Sequence, residues 1–225
     1  MTAEMKDVLQ TILQGRQYIF EIFHKLLGEA PTAEMVQALS SPNSMQALAL
    51  FAQDDSAAPV FLAGVLARLP EISLDALEGE YTRLFLGPDD LIAPPWESVY
   101  HGTARALFQQ STLAVHEWYA KYGFVPKNYP HVPDDHVALM MHVLSLLCQR
   151  ALDALESSNA LVYRDALAAQ LLFEQNHLMN WLGAYASDMK KSQSQYFYPH
   201  LVQAAEQMIA YDNGLLLEMM DGGEA

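Results

Sequence analysis

The sequence contains a single cysteine, Cys148, and therefore cannot form an internal disulfide bond. It also lacks a long hydrophobic run: the most apolar stretch, residues 57–67, is too short to span a bilayer and contains Pro59. Its first ten residues do not show the basic-then-apolar order of a secretion signal. These absences predict a reduced, cytoplasmic protein with no stable insertion into a membrane.

Basic residues are scarce, with 12 lysines and arginines against 27 aspartates and glutamates, which gives a net charge of −15. Proteins that bind nucleic acids need lysine and arginine to neutralise phosphates, so this composition argues against a nucleic-acid partner. It suits a cationic partner, although many proteins are acidic simply for solubility. The acidic side chains are dense between Glu71 and Glu97, where Arg83 is the only basic residue.

The motifs of common nucleotide-binding and nucleophilic enzymes are absent as well. There is no glycine-rich loop with lysine and serine or threonine, no G-x-G-x-x-G turn and no G-x-S-x-G turn. Cys148 lies in an apolar, helix-like segment and is interpreted as a core residue. We therefore expect no cofactor; weak binding of a guanine nucleotide stays open, although no motif supports it.

What the sequence does contain is helical periodicity. Apolar residues recur at three- and four-residue spacing, and no stretch alternates persistently with period two. The pattern predicts an all-α fold in which residues 1–225 form a single compact bundle of about eight to ten helices. The alternative is two subdomains, about 1–123 and 134–225, around a proline-containing hinge at about 124–133. Exchange across such a hinge would give a domain-swapped dimer, so monomer and dimer are both open.

Turn-forming residues predict where some of these helices begin and end. The sequence "SPNS" at 41–44 is expected to form a turn, and segment 87–102 is expected to be irregular throughout. A helix is expected to start at Asp134 or Asp135, where a carboxylate can cap free N–H groups. A later helix is expected to run from residue 160 towards residue 189 without a break.

The stretch "HVPDDHVALMMH" at residues 131–142 concentrates histidine and aspartate, which serve as metal ligands and as acid–base groups. His136 and His142 lie about 120° apart on a helix, which does not match the spacing of a zinc hydrolase. A helical metal-dependent hydrolase remains the enzymatic alternative. Its ligands would be Asp135, His136 and one of three further histidines: His101, His131 or His142.

Five segments in series resemble the TorD/DmsD group of redox-enzyme maturation chaperones. They are "GEYTRLFLGP" (79–88), "PPWESVYHG" (94–102), "PDDHVALMM" (133–141), "HLMNWL" (177–182) and "FYPHL" (197–201). The first 70 residues match only as a helical stretch of suitable length. The resemblance implies an all-helical, non-catalytic chaperone of the kind that serves anaerobic respiration. Such a chaperone binds the twin-arginine signal peptide of an apo-molybdoenzyme and delays its export until cofactor insertion is complete.

The resemblance also implies which residues bind the peptide. They are Tyr81, Leu84, Phe85, Pro94, Pro95, Trp96, Glu97, Ser98, Tyr100, Asp135 and His136. To these we add Asp134, as a further carboxylate, and Met140, which stands where the family usually has a glutamate. Its apolar side chain points to a more apolar groove or to a different client.

The chemistry of a twin-arginine peptide fits these residue types. Guanidinium groups are bound best by carboxylates, so we expect Glu97, Asp134 or Asp135 to contact the arginine pair. Aromatic side chains suit the apolar segment that follows, so Trp96 and Tyr100 are expected to pack on it. The histidine of the Asp-His pair is expected to orient a carboxylate. A chaperone of the same ancestry that serves a non-exported metalloenzyme is the other alternative, and the sequence does not name the client.

Overall fold

The computed structural model describes residues 2–51, 56–87, 90–101, 106–126, 133–194 and 196–221, without the side chains of Asn43 and Leu50. Helices dominate these residues, and the extended structure described among them is one isolated antiparallel bridge between Trp96 and His136. The prediction of an all-α fold is therefore confirmed.

The helices vary from one turn to more than six turns in length. In chain order they are α1 (Ala3–Gly28), α2 (Ala33–Leu39), α3 (Pro42–Phe51), α4 (Ala57–Ala67), α5 (Leu74–Tyr81), α6 (Glu97–Tyr100), α7 (Gln110–Lys121), α8 (Val137–Glu156), α9 (Ala160–His177), α10 (Leu182–Lys191) and α11 (Tyr198–Asp221). A 3₁₀ turn (Leu69–Glu71) precedes α5, and a π-helical turn (Thr82–Leu86) follows it.

The centre of the bundle is α8, which packs along α1 in the antiparallel direction. Near the start of α8, the carbonyl of Ala138 lies 2.9 Å from His24 Nδ1, and at its end the carbonyl of Glu156 accepts a hydrogen bond from Lys6 Nζ. By length and composition α8 could cross a membrane, but most of it is buried inside the protein, as in a core helix. Helices α9 and α11 complete the core around it.

In the sequence, the predicted hinge comes after the segment that forms α1 and before the segment that forms α8. Because α1 and α8 come from either side of residues 124–133 and pack along their length, the two proposed parts share one hydrophobic core. Residues 127–132 lie outside the described part of the chain. The division into two subdomains stays a prediction.

Two predicted boundaries are wrong. The sequence "SPNS" is not a separate turn, because Pro42 opens α3, a position where proline costs no hydrogen bond. The helix expected from residue 160 towards 189 is broken between α9 and α10, where residues 178–181 form a turn. Trp181 fills the core at this break, so tertiary packing overrides the continuous helical pattern. By contrast, Ser73 caps α5 as predicted, accepting a hydrogen bond from the N–H of Ala76.

Candidate functional site

The segments "PPWESVY" and "PDDH", nearly forty residues apart in sequence, are joined by backbone hydrogen bonds. The N–H of Glu97 donates to the carbonyl of Asp135 at 3.1 Å, and the N–H of Val137 donates to the carbonyl of Pro95 at 2.9 Å. We call residues 95–98 together with residues 134–137 the junction. It fixes the start of α6 against the start of α8.

The carboxylate of Asp135 stabilises the first of these two helices. Its Oδ2 accepts a hydrogen bond of 2.7 Å from the N–H of Ser98 in a buried position. The prediction that segment 87–102 is irregular throughout is therefore wrong. Asp135 provides the acceptor that lets residues 97–100 form one helical turn. This contact explains how an aspartate before α8 serves a different helix.

Helix α8 is capped by His136 and not, as predicted, by one of the two aspartates. His136 Nδ1 accepts a hydrogen bond of 3.1 Å from the N–H of Ala138, so the helix begins at Val137, two residues later than Asp135. Burial, followed by the nearby His24, lowers the pKa of His136 to about 4. The imidazole is thus neutral near pH 7, as an acceptor nitrogen requires. Its ring packs edge-to-face with that of Trp96, with the ring centroids 5.1 Å apart.

Glu97 is held between two histidines. Its Oε1 accepts from His101 Nε2 at 3.0 Å, and its Oε2 accepts from His177 Nδ1 at 3.2 Å. The contact with His177 brings the "HLMNWL" segment to the junction. Stacking of Tyr100 on Trp181, with ring centroids 5.4 Å apart, makes a second contact between the same two segments.

Asp134 has a histidine partner as well. Its Oδ2 accepts from His116 Nδ1 of α7 at 2.7 Å, and its backbone carbonyl accepts from the hydroxyl of Tyr119 at 3.1 Å. Burial, and then the charges of Asp134, Asp135 and Glu97, raise the pKa of Tyr119 well above its usual range. All three carboxylates therefore lie close enough to one buried tyrosine to affect its ionisation.

These three carboxylates lie beneath the surface. Glu97, Asp134 and Asp135 are no more than 2% exposed, and Oδ1 of each aspartate has no hydrogen-bond partner within the described residues. The expected direct contact with an arginine pair is therefore not available in this conformation. Two of the bonded histidines form an outer layer, since the side chains of His101 and His116 are 37% and 31% exposed.

Tyr81, Leu84 and Phe85 are buried and belong to the hydrophobic core. The ring of Tyr81 stacks on that of Phe85 at 4.8 Å, and both rings pack against Tyr198 at the start of α11. Beside them, the carboxylate of Glu80 accepts hydrogen bonds from the N–H groups of residues 197 and 198. The "GEYTRLF" segment thus fastens the "FYPHL" segment in place.

The remaining predicted residues differ in their access to solvent. Pro94, Trp96 and Tyr100 are half-buried, whereas Pro95 and Ser98 are buried. Met140 is completely buried in the core, where an apolar side chain is more stable than the glutamate expected from the family pattern. The assignment of peptide binding to all these residues stays a prediction.

Within the described part of the chain, the ligands proposed for a hydrolase do not come together. His142 faces α1, with its Nδ1 3.2 Å from Glu21 Oε1 and its ring stacked on His24, while Asp135 is bonded to Ser98. His131 lies outside the described residues. Among the residues that the structure describes, no three histidine, cysteine, aspartate or glutamate side chains form a group able to hold a metal ion.

Sequence reasoning missed four residues that organise the site. His177, Glu80 and Tyr198 lie within the family-like segments, so the signal was present, but spacing alone did not indicate their partners. His116 lies in no such segment, and no pattern in the sequence distinguishes it. All of these contacts join residues far apart in the chain.

Comparison with known proteins agrees with the motif analysis. Residues 45–187 match the family described as "Nitrate reductase delta subunit". The chain is 31% identical over 118 residues to "Tat proofreading chaperone DmsD" of Salmonella typhi, covering 52% of this chain and 54% of that protein. It is 26% identical over 168 residues to "Chaperone protein TorD" of Ferrimonas balearica, covering 72% and 75% of the two chains. The chain spans about half the length of the DmsD relatives it matches. The resemblance to the TorD/DmsD group is confirmed.

Proposed function

Because the chain belongs to the nitrate reductase delta subunit family, we propose that it is a cytoplasmic, non-catalytic chaperone of a molybdopterin oxidoreductase. It binds the twin-arginine signal peptide of the apo-enzyme and assists cofactor insertion before export. Curated relatives that carry the names Tat proofreading chaperone and chaperone protein TorD support this class of client.

The junction is the observation that carries the proposal. It places three buried carboxylates next to half-buried aromatic side chains, and the described side-chain hydrogen-bond partners of Glu97 and Asp134 are histidines. A histidine is a weaker and more easily replaced partner than a guanidinium, because it is cationic only when protonated. An incoming arginine can form two parallel hydrogen bonds to one carboxylate, which an imidazole cannot.

The outer histidines give the arginine pair its route to the buried acids. His101 and His116 are each about one third exposed and bonded to a carboxylate that is not exposed. A guanidinium that displaces either ring takes over its carboxylate without leaving that acid unpaired. Trp96 and Tyr100, half-buried beside Glu97, contact the peptide at the same place.

A panel of twin-arginine leader peptides tests the proposal directly. A peptide that binds the folded protein raises its melting temperature by mass action, so thermal-shift measurements will rank candidate clients. Each peptide is compared with a version in which two lysines replace the arginine pair. We expect at least one leader to raise the melting temperature and its lysine version to raise it much less.

Equal shifts for the arginine and lysine versions of every leader would contradict the proposal. Shifts produced only by segments of mature metalloenzymes would favour the alternative, a chaperone that serves a non-exported enzyme. We propose no nucleotide or metal cofactor. Sedimentation of the full chain with and without the leader will distinguish a monomer from a domain-swapped dimer.

A further inference from the structure

The segment that leads into α7 is held next to the junction. Gln109 is the residue before α7, and its side-chain Nε2 donates to the carbonyl of Ser98 at 3.0 Å and to the carbonyl of Ala106 at 2.7 Å. Ser98 belongs to the junction and follows Glu97 directly. The side chain of Gln109 therefore links residues 106–109 to the junction at the residue next to Glu97.

Phe108 has an unusual conformation in this segment. Its φ angle is 57°, in the left-handed region that bulky residues rarely adopt, and its side chain is 60% exposed. Burial of the Phe108 side chain therefore does not offset the cost of the strained backbone, because most of the side chain is exposed to water. Strain of this kind persists where the surrounding structure enforces it, and it is common at binding sites.

A purely local explanation would be a hydrophobic staple at the start of the helix. Phe108 and Leu113 occupy the two positions of that motif, immediately before the cap and at the fourth helical residue. A staple stabilises a helix by burying the two side chains against each other. Here both remain more than half exposed, Leu113 at 62%, so the motif does not account for them.

Leu107, Phe108 and Leu113 are all exposed at the entry to α7, and we call them the entry patch. We propose that the entry patch binds the apolar segment that follows the arginine pair in the leader peptide. The inference rests on the function proposed above and deepens it by extending the apolar contact, expected at Trp96 and Tyr100, to residues outside the family-like motifs. The junction, next to it, takes the arginines.

The negative charge beside the entry patch favours a leader peptide as its ligand. A ligand at the entry patch must be apolar where it meets Phe108 and cationic where it meets the acids beside Ser98, which is the order of groups in a twin-arginine leader. A second copy of the chain is a poor occupant, because each copy carries a net charge of −15 and the two repel each other.

The variant Phe108→Asn separates binding from folding. Asparagine tolerates a positive φ, so the variant relieves the strained conformation while removing the apolar side chain. We expect its melting temperature to stay the same or rise, and its affinity for the best leader of the panel, measured by isothermal titration calorimetry, to fall about fivefold or more. A residue with only a structural role would show a lower melting temperature and unchanged affinity.

Leu161→Asn is the matched control. Leu161 is highly exposed at the start of α9, at the opposite end of α8 from the junction, and its replacement should leave affinity unchanged. Two altered peptides complete the design: one has serines in place of the apolar segment, and the other has lysines in place of the arginine pair. The effect of Phe108→Asn should vanish with the serine peptide and persist with the lysine peptide.

The possible outcomes test the entry patch separately from the proposed function on which it rests. Unchanged affinity of Phe108→Asn for a leader that still discriminates arginine from lysine overturns the entry patch and leaves the proposed function standing. A fivefold loss of affinity in Leu161→Asn as well also overturns it, because the effect would then not be specific to the site. Failure of the unaltered protein to discriminate arginine from lysine overturns both.

Discussion

Two of the places where the protein buries carboxylates differ in the partners that those carboxylates have. In the first, Asp212 of α11 accepts two hydrogen bonds from Arg16 of α1, from Nε at 2.6 Å and from Nη2 at 2.7 Å. In the second, the junction, the described side-chain partners of Glu97 and Asp134 are histidines. Both places exclude water, but only the first is shown to hold a guanidinium from the protein itself.

The difference between an arginine partner and histidine partners fits different roles for the two sites. At the first site Arg16 Nη2 also bonds Gln170, whose amide oxygen is 3.2 Å from the sulfur of Cys148, so the arginine ties three helices together. This network resembles a permanent cross-link, since the charges of Arg16 and Asp212 are paired and buried. The junction has the same acidic chemistry with weaker partners, which is the arrangement that an incoming guanidinium can complete.

The largest expected effect is on the permanent pair. Arg16→Met leaves Asp212 buried without its partner, and the free energy of unfolding should fall by about 3–5 kcal/mol. Urea denaturation followed by circular dichroism measures the change. Arg150→Met, which removes an exposed contact of 3.5 Å with Asp165, is the control and should cost under about 1 kcal/mol. Similar losses in the two variants would show that the Arg16 pair is no more important than a surface contact.

The next effect concerns pH. The folded-state pKa of His136 is about 4 and the ordinary value is about 6.5, so between these values the unfolded chain binds the extra proton. The stability that neutral His136 contributes is therefore fully present above about pH 6.5 and is lost as pH falls towards 4, by about 3 kcal/mol. His24 is the titratable group that acts on this ring, and it opposes protonation too.

The variant His136→Asn isolates this contribution. Asparagine keeps an acceptor for the N–H of Ala138 but does not titrate, so its urea midpoint should fall less than that of the unaltered protein between pH 6.5 and 4. Equal slopes for the two proteins would show that the histidine is not held neutral by burial. In that case the junction would be more open to water than its geometry indicates.

A smaller effect on stability sharpens the contrast between the two acidic sites. Asp134→Asn removes one of three neighbouring negative charges while keeping an acceptor for His116, so the free energy of unfolding should change by less than about 1 kcal/mol. Asp212→Asn should cost several times more, because it unpairs a buried arginine. Denaturation of both variants at pH 7 decides the point, and equal losses would mean that the junction acids are as firmly paired as Asp212.

Much of the fold was predictable because it follows from local pattern. Apolar periodicity and caps such as Ser73 are written in neighbouring residues, and the sequence therefore indicates most of the helices. The break between α9 and α10 was not predictable, since it depends on Trp181 filling a core that other helices complete. Which residue caps α8 was missed because a histidine acceptor is an uncommon cap.

The candidate site was predictable in its residues but not in its geometry. The motif segments pointed to Glu97, Asp134, Asp135 and Trp96, and the structure brings them together at the junction. Their burial and their partners His116 and His177 depend on contacts between distant parts of the chain, which one sequence does not show. The sequence suggested carboxylates as contacts for arginine, whereas the structure shows that two of them are bonded to partly exposed histidines.

The most direct test of the account is whether the carboxylates of the junction recognise the arginine pair of the leader peptide. Calorimetric titration should compare the best leader with its lysine version, on the unaltered protein and on Glu97→Gln and Asp134→Asn. The account predicts that the unaltered protein prefers arginine by about tenfold or more, and that at least one folded variant loses most of this preference. Folded variants that both keep the full preference would contradict it, because the arginines would then be recognised elsewhere.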